Sequence, residues 1–224
     1  VEFGSNDEIL SIAVRAHVHR PFPLEFAREL LSLNVTGADE LHRAALAGNA
    51  LAGHYAAVVH DLLKKASIAA SEVTAIGAHG QTVRHRPGEF DGIGYTVQLN
   101  NPALLAERTG IDVAADFRSR DVAAGGQGAP LVPAFHRAAF GKAHETLTVL
   151  NIGGISNLSV LASDGSTLGF DCGPGNALMD HWCALHLGTA YDRDGNWASS
   201  GSVNPTLLTA MQGDPYFARP APKS

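Results

Sequence analysis

Short apolar runs that break into glycine-rich polar turns recur through this chain, and they limit what it can fold into. Residues 74–79 and 111–115 are two such runs, each short enough to form a strand. Helix signals lie between them, since Asn101-Pro102 begins a predicted helix that ends at Gly110. Because strands that alternate with helices are typical of α/β proteins, the sequence predicts that fold class.

Other predicted elements begin and end at recognisable residues. Residues 36–39, Thr-Gly-Ala-Asp, fit a capping box that would open an Ala/Leu-rich helix reaching to about residue 70. Gly48 and Gly53 would weaken that helix unless another element packs closely against it. The sequence also predicts a strand at residues 9–18 and a hairpin of residues 158–161 and 168–171, with its turn at Asp164-Gly165. Two later helices are predicted at residues 174–187 and 205–212.

The charge and cysteine content exclude several classes of protein. The 22 acidic and 16 basic residues leave a net charge of -6, and the basic residues are scattered, so nucleic acid is not an expected partner. Two cysteines are too few for a disulfide framework, which favours a reducing, cytoplasmic setting. No apolar run approaches the roughly 18 residues that a membrane helix requires. The sequence therefore predicts a soluble cytoplasmic protein without a membrane partner.

Five segments place polar residues and glycine where predicted strands end, which is where ligands bind in open α/β sheets. Each segment alone has an ordinary structural explanation as well: a turn, a helix N-cap, surface ion pairs or a solvated aspartate. The glycine-rich residues 125–128 are the predicted hinge between two domains, 1–124 and 125–224. The five segments are residues 77–82, 98–102, 115–130, 151–157 and 170–176.

Particular chemistry is suggested by two of these segments. The double glycine Gly153-Gly154 has backbone amides that could cradle a phosphate, although the segment lacks the lysine of a Walker A loop. Asp171 ends a predicted strand, and such rigid support suits a general base that must be held in place. His79, in the first segment, is a lone histidine, and lone histidines more often have a structural role. No metal site made of protein ligands is predicted.

In this order, the segments resemble those of the anhydro-N-acetylmuramic acid kinases. The resemblance runs nearly from end to end, through residues 79–82, 116–130, 150–157, 170–176 and 192–195 to 222–224. It implies an actin-like ATPase (ribonuclease H-like) fold of two α/β domains with a cleft between them. It also implies a cytoplasmic homodimer of peptidoglycan recycling, which uses ATP, Mg²⁺ and water to convert 1,6-anhydro-N-acetylmuramic acid into N-acetylmuramic acid 6-phosphate.

The same resemblance implies roles for individual residues. Asp171 matches the catalytic aspartate of the family, which activates water to attack the anomeric carbon of the sugar. The ATP phosphates would lie at the second phosphate loop of the fold, which Asn151, Gly153 and Gly154 match. The candidates for contact with the sugar are Gln81, Gln98, Asp116, Arg118 and Gln127.

This chain departs from the family pattern in one respect. Members begin with a strand and a Met-Ser-Gly-Thr-Ser-Leu-Asp-Gly loop, and they continue into adenosine-binding segments; neither part is matched here. We therefore expect a chain truncated at both ends and inactive by itself. Two other functions stay open: a glycoside hydrolase that uses Asp116, Asp121 and Asp171 as paired carboxylates, and a non-catalytic muropeptide-binding module.

Overall fold

A computed structural model describes residues 1–6 and 9–223 of the chain. Helices and strands are mixed along the whole length, so the predicted α/β class is confirmed. The chain divides into two compact units, Val1–Gly128 and Ala129–Ser224. The predicted domain boundary, between residues 124 and 125, stays a prediction. Within the described residues, no helix is both long enough and apolar enough to cross a membrane.

The first unit contains three pairs of strands and four helices among its described residues. Its strands are β1 (Glu2–Asn6), β2 (Ile9–Ala13), β3 (Ile76–Ala78), β4 (Gln81–Pro87), β5 (Gly94–Leu99) and β6 (Val113–Ala115). Its helices are α1 (Leu24–Ser32), α2 (Glu40–Ala66), α3 (Pro102–Thr109) and α4 (Phe117–Ala123), with a 3-10 turn at Ala70–Glu72. The pairs β1–β2 and β4–β5 are antiparallel, whereas β3 and β6 are parallel.

Helix α2 lies at the centre of this unit, and its small residues let other elements approach. Ala52 and Ala56 are buried in a cluster with Ala78 of β3 and Leu105 of α3. A Cβ added at Gly48 would lie 3.1 Å from the backbone oxygen of Asn100, and one added at Gly53 would lie 2.7 Å from Nη1 of Arg108. Other elements therefore pack closely against α2 at both glycines, which is the condition under which a helix tolerates them. A second core cluster comprises Leu30, Leu33, Ala47, Val83 and Leu99.

Two sequence-based predictions for this unit are wrong in detail, and one strand was not predicted. The capping box does not form, because Asp39 adopts a left-handed conformation (φ 50°) and caps nothing with its side chain, so α2 begins at Glu40. The predicted strand at 9–18 ends at Ala13 and pairs with β1. Strand β4 was missed, because Val83 is its one buried side chain and its polar sequence carries no apolar alternation.

The second unit contains three strands and five helices among its described residues. They are α5 (Val132–Phe140), β7 (Leu147–Ile152), β8 (Ile155–Leu161), β9 (Thr167–Pro174), α6 (Ala177–Leu187), α7 (Asn196–Ser199), α8 (Pro205–Gln212) and α9 (Pro215–Ala218), with a 3-10 turn at Arg193–Gly195. The strands form an antiparallel sheet in the order β7-β8-β9. Helix α5, which the sequence did not predict, packs on β8 and β9, and there His136 and Ser159 are buried and joined by a hydrogen bond of 2.8 Å. The predicted hairpin at Asp164-Gly165 is confirmed, with longer strands than expected. The resemblance stated above extends to residue 224, and Ser224 lies outside the described residues.

Candidate functional site

The parallel strands of the first unit place two candidate segments side by side. Ala78 of β3 pairs with Ala115 of β6, so the residues that follow them, His79 and Asp116, leave the same edge of the strand pair. Asp116 has a left-handed backbone (φ 57°), and its carboxylate accepts a hydrogen bond from Oγ of Ser119. The charged run after Asp116 lies in helix α4, which begins at Phe117.

Arg118 connects these segments to the glycine loop at 125–128. Its Nε donates a hydrogen bond to Nε2 of His79 at 2.9 Å, and its Nη1 donates to the backbone oxygen of Gly128. The Asp121 carboxylate accepts from the Gly128 amide at 2.7 Å, and the Asp121 carbonyl accepts from the Gly126 amide at 2.8 Å. The structure therefore brings Asp116, Arg118 and the loop that carries the exposed Gln127 to one end of this unit.

The two candidate glutamines of the β4–β5 hairpin are near each other but on different faces. Gln81 pairs with Leu99 and Gln98 with Thr82, and successive residues of a strand point to opposite faces. Gln98 donates to the hydroxyls of Thr96 and Thr82 at 2.7 and 3.3 Å, while its buried Oε1 has no hydrogen-bond partner within the described part of the chain. Gln81 donates to the carbonyl of Thr82 at 3.3 Å. The hairpin does not direct both amides toward one ligand.

The side-chain amides of Asn100 and Asn101, which follow Gln98, form structural hydrogen bonds. The Asn100 side chain donates to the carbonyl of Ala78 at 3.1 Å, and the Asn101 side chain accepts from the amide of Leu104 at 3.0 Å. The second contact is an N-cap of α3. For this segment the ordinary structural explanation is confirmed.

A row of polar residues crosses the sheet of the second unit. Asn151 of β7 pairs with Asn157 of β8, and Asn157 pairs with Asp171 of β9. Side chains directly opposite each other on neighbouring strands share a face of the sheet, so the register brings two predicted residues, Asn151 and Asp171, into one row. Asn157 between them was missed as an individual site residue. Its signal is an amide in the middle of an apolar strand, and its buried Oδ1 has no hydrogen-bond partner among the described residues.

Asp171 lies beside a β-bulge and not at a strand end. Strand β9 continues to Pro174, which corrects the prediction that Asp171 closes the strand. Ser156 pairs with Gly173 and Asn157 pairs with Asp171, which leaves Cys172 as the extra residue of the bulge. Bulges change the direction of neighbouring side chains and are frequent beside active sites. The bulge thus influences the direction of the half-buried Asp171 side chain.

The main chain at Asp171 is held by residues near the end of the described chain. Its amide donates to the carbonyl of Lys223 at 2.8 Å, and its carbonyl accepts from the hydroxyl of Tyr216 at 2.8 Å. Burial raises the pKa of Tyr216, and the Asp171 carboxylate raises it further. Lys223 donates to the carbonyl of Tyr216 at 2.9 Å, so these contacts form one connected group.

The Gly153-Gly154 turn is tied to the start of helix α6. The carbonyl of Gly153 accepts from the amide of Asn176 at 2.8 Å, and the carbonyl of Gly154 accepts from the amides of Gly175 and Ala177 at 2.9 and 3.2 Å. A Cβ added at Gly175 would lie 2.1 Å from the oxygen of Gly153, so a larger residue does not fit there. The turn joins β7 to β8 just beyond Asn151, in a fixed backbone conformation.

Protein ligands for a metal do not cluster in either unit. Within residues 1–6 and 9–223, there is no group of three or more His, Cys, Asp or Glu side chains that could hold a metal ion. Mg²⁺ in phosphotransferases is commonly held by one or two carboxylates together with the phosphates of the substrate. The described residues fit that manner of binding, in which the substrate supplies most of the ligands.

Comparisons with known proteins identify one family. A family model described as anhydro-N-acetylmuramic acid kinase matches residues 5–224. Curated relatives with that name include one from Variovorax paradoxus, which is 66% identical over 218 residues, covering 95% of this chain and 58% of the relative. A relative from Albidiferax ferrireducens is 59% identical, covering 95% of this chain and 60% of its own length. One from Cupriavidus metallidurans is 60% identical, with shares of 95% and 57%. The chain spans less than two thirds of the length of these relatives.

Proposed function

This chain belongs to the anhydro-N-acetylmuramic acid kinase family, and from that premise we propose that the intact protein uses ATP and water to open and phosphorylate 1,6-anhydro-N-acetylmuramic acid. The products are N-acetylmuramic acid 6-phosphate and ADP. The observation that carries the proposal is the polar row Asn151–Asn157–Asp171, with the main chain of Asp171 held by Tyr216 and Lys223.

The chemistry requires a base and a phosphate on opposite sides of the sugar. The ether oxygen of the anhydro bridge is a poor leaving group unless its developing charge is captured, here by phosphorus. Water forms a bond to the anomeric carbon as the bond from that carbon to the bridge oxygen breaks. The bridge oxygen takes the γ-phosphoryl group, ADP leaves, and the proton of the attacking water passes to Asp171.

Asp171 suits the role of base because its support is rigid. A strand, a bulge and two main-chain hydrogen bonds determine where its Cα lies, so little reorganisation is needed when the water is bound. A turn aspartate, the alternative that the sequence left open, would lack this support. The general base would therefore be in place before the reaction begins.

We assign the ATP phosphates to the neighbourhood of Asn151 and the Gly153-Gly154 turn. Backbone that is already fixed by hydrogen bonds can stabilise charge on a transferred group without rearranging, and the contacts to residues 175–177 provide that restraint. Mg²⁺, when bound, would neutralise charge on the phosphates. Its proposed place is with the ATP, where phosphate oxygens and water supply its preferred ligands.

The remaining assignments rest on the family. We assign contact with the sugar to the first unit, through residues drawn from Gln81, Gln98, Asp116, Arg118 and Gln127. The actin-like ATPase fold, the homodimer and the cytoplasmic location in peptidoglycan recycling are parts of the same proposal.

A glycoside hydrolase and a muropeptide-binding module are less well supported. The Asp121 carboxylate accepts a hydrogen bond from the Gly128 amide, and the Asp116 carboxylate accepts one from the Ser119 hydroxyl. Both carboxylates therefore stabilise local structure. The relatives named above are kinases by name. Sugar opening without ATP would support a hydrolase instead, and sugar binding that is indifferent to ATP would support a binding module.

Replacement of Asp171 tests the proposed function. In the intact protein, Asp171→Asn removes the base but keeps the size of the side chain. ADP formation that depends on the anhydro sugar should fall by about 10²- to 10⁴-fold, the usual contribution of a general base. A coupled assay for ADP measures the rate, and circular dichroism checks that the fold is retained.

The matched control is Asp164→Asn, in the exposed turn of the same hairpin. This variant should keep the wild-type rate. In H₂¹⁸O the wild type should place the label on the anomeric carbon of the product, because water attacks there. Undiminished turnover by Asp171→Asn would remove Asp171 from the role of base.

A further inference from the structure

The Arg118 guanidinium donates hydrogen bonds to protein groups that come from different segments. Its Nε contacts His79, at the end of β3, and its Nη1 contacts the carbonyl of Gly128, ten residues along the chain. Arginine stays protonated in proteins, so it is the donor in both bonds. Its guanidinium therefore joins the strand end to the glycine loop.

The hydrogen bond from Arg118 determines which ring nitrogen of His79 carries the proton. Since Nε2 of His79 accepts from Arg118, its ring proton lies on Nδ1, which is 2.9 Å from the carbonyl of Gly80 and donates to it. Both ring nitrogens of His79 thus have a defined partner.

The loop that Arg118 contacts is restrained from its other side as well. The amide of Gly128 donates to the Asp121 carboxylate, so the main chain of Gly128 is held at its N–H and at its C=O. Gly128 is buried with φ 68°, and a Cβ added there would lie 2.9 Å from Cγ2 of Val122. The exposed Gln127 precedes this anchored residue, so its position depends on the anchor.

We propose that Arg118 is a positioning residue, which holds the loop at 125–128 and with it Gln127, and that His79 orients Arg118. The inference rests on the proposed function, in which this loop faces the sugar. Arg118 then influences the sugar through the position of the loop. Loss of His79 should have the same consequence as loss of Arg118.

A double-mutant cycle in the intact protein tests the proposal. His79→Asn loses the acceptor at the Nε2 position and should raise the KM for the anhydro sugar about three- to tenfold, with kcat within about twofold of wild type. His79→Gln places an amide oxygen near that position and should restore most of the loss. Because both residues act through one contact, His79→Asn combined with Arg118→Lys should be no worse than Arg118→Lys alone.

Backbone amide exchange provides a readout that does not depend on catalysis. Exchange at Gly126 and Gly128 in the ligand-free protein should be about tenfold faster in His79→Asn than in wild type. The exposed His42→Asn on α2 is the matched control and should change neither exchange nor KM. Unchanged loop exchange in His79→Asn, or KM effects that multiply in the double variant, would overturn the proposal. If the wild type does not use the sugar, the proposed function fails, and amide exchange still decides whether His79 and Arg118 hold the loop.

Discussion

At the scale of single residues, Tyr216 connects the end of the described chain to the proposed base. Its hydroxyl donates to the main-chain carbonyl of Asp171, and its ring lies 4.7 Å from Nζ of Lys223. Burial is the main cause of its raised pKa, with the Asp171 charge as the second cause. The folded protein therefore holds the phenolic proton more tightly than the unfolded chain does.

We predict that Tyr216→Phe lowers the free energy of unfolding by about 1 kcal/mol at pH 7, the usual value of one hydrogen bond. Because the folded-state pKa is raised, the contribution of the tyrosine is complete below its ordinary pKa of about 10. It is lost as the pH rises through the folded-state pKa. Urea denaturation at pH 7 and at alkaline pH measures both effects.

Tyr191→Phe is the control for this measurement, because Tyr191 is 50% exposed. It should leave the free energy of unfolding nearly unchanged. A Tyr216→Phe variant as stable as wild type at pH 7 would show that the bond to Asp171 contributes nothing.

At the scale of elements, the connection from β3 to β4 depends on one glycine. Gly80 has φ 78°, and a Cβ added there would lie 2.5 Å from the carbonyl oxygen of Leu99 in β5. Gly110, at the end of α3, also has a positive φ, of 67°, but a Cβ there would meet nothing within 4 Å. The two glycines share a backbone conformation and differ in their surroundings.

We predict that Gly110→Ala costs about 1–2 kcal/mol of folding free energy, from the left-handed backbone alone. Gly80→Ala should cost at least about 1 kcal/mol more, since β5 must also move. Thermal and urea unfolding of the two variants give the difference. Equal losses would mean that the contact with Leu99 relaxes freely.

At the scale of the whole molecule, each compact unit has buried residues of its own. Leu51 is fully buried in the first unit and Leu161 in the second, both with 0% exposure. Truncation of either side chain leaves a cavity, which usually costs about 2–5 kcal/mol. The cost should fall mainly on the unit that contains the cavity.

We predict that Leu51→Ala increases hydrogen exchange chiefly in peptides from residues 1–128, and Leu161→Ala chiefly in peptides from 129 onward. Mass spectrometry of exchanged peptides resolves the two regions. The variants serve as controls for each other, because they make the same change in different units. Equal loss of protection along the whole chain in both variants would show that the units unfold together.

Motifs that act over a few residues were predicted well. The helix from Pro102 to Thr109 begins with its Asn101 cap and ends at a left-handed Gly110, as expected, and the hairpin forms at Asp164-Gly165. In these motifs the residues that interact are close in sequence, so their types are sufficient. The capping box at 36–39 does not form, because Asp39 has a left-handed backbone and α2 begins only at Glu40.

The α/β class, the family and most of the elements could be predicted from the amino-acid sequence, because these depend on local patterns and on ordered motifs. Which residues contact each other could be learned only from the folded chain. The register of three strands puts Asn157 between Asn151 and Asp171, and the parallel pairing of β3 with β6 puts His79 within reach of Arg118. Such contacts join residues far apart in the chain, and strand pairing and packing determine them, which no local pattern records.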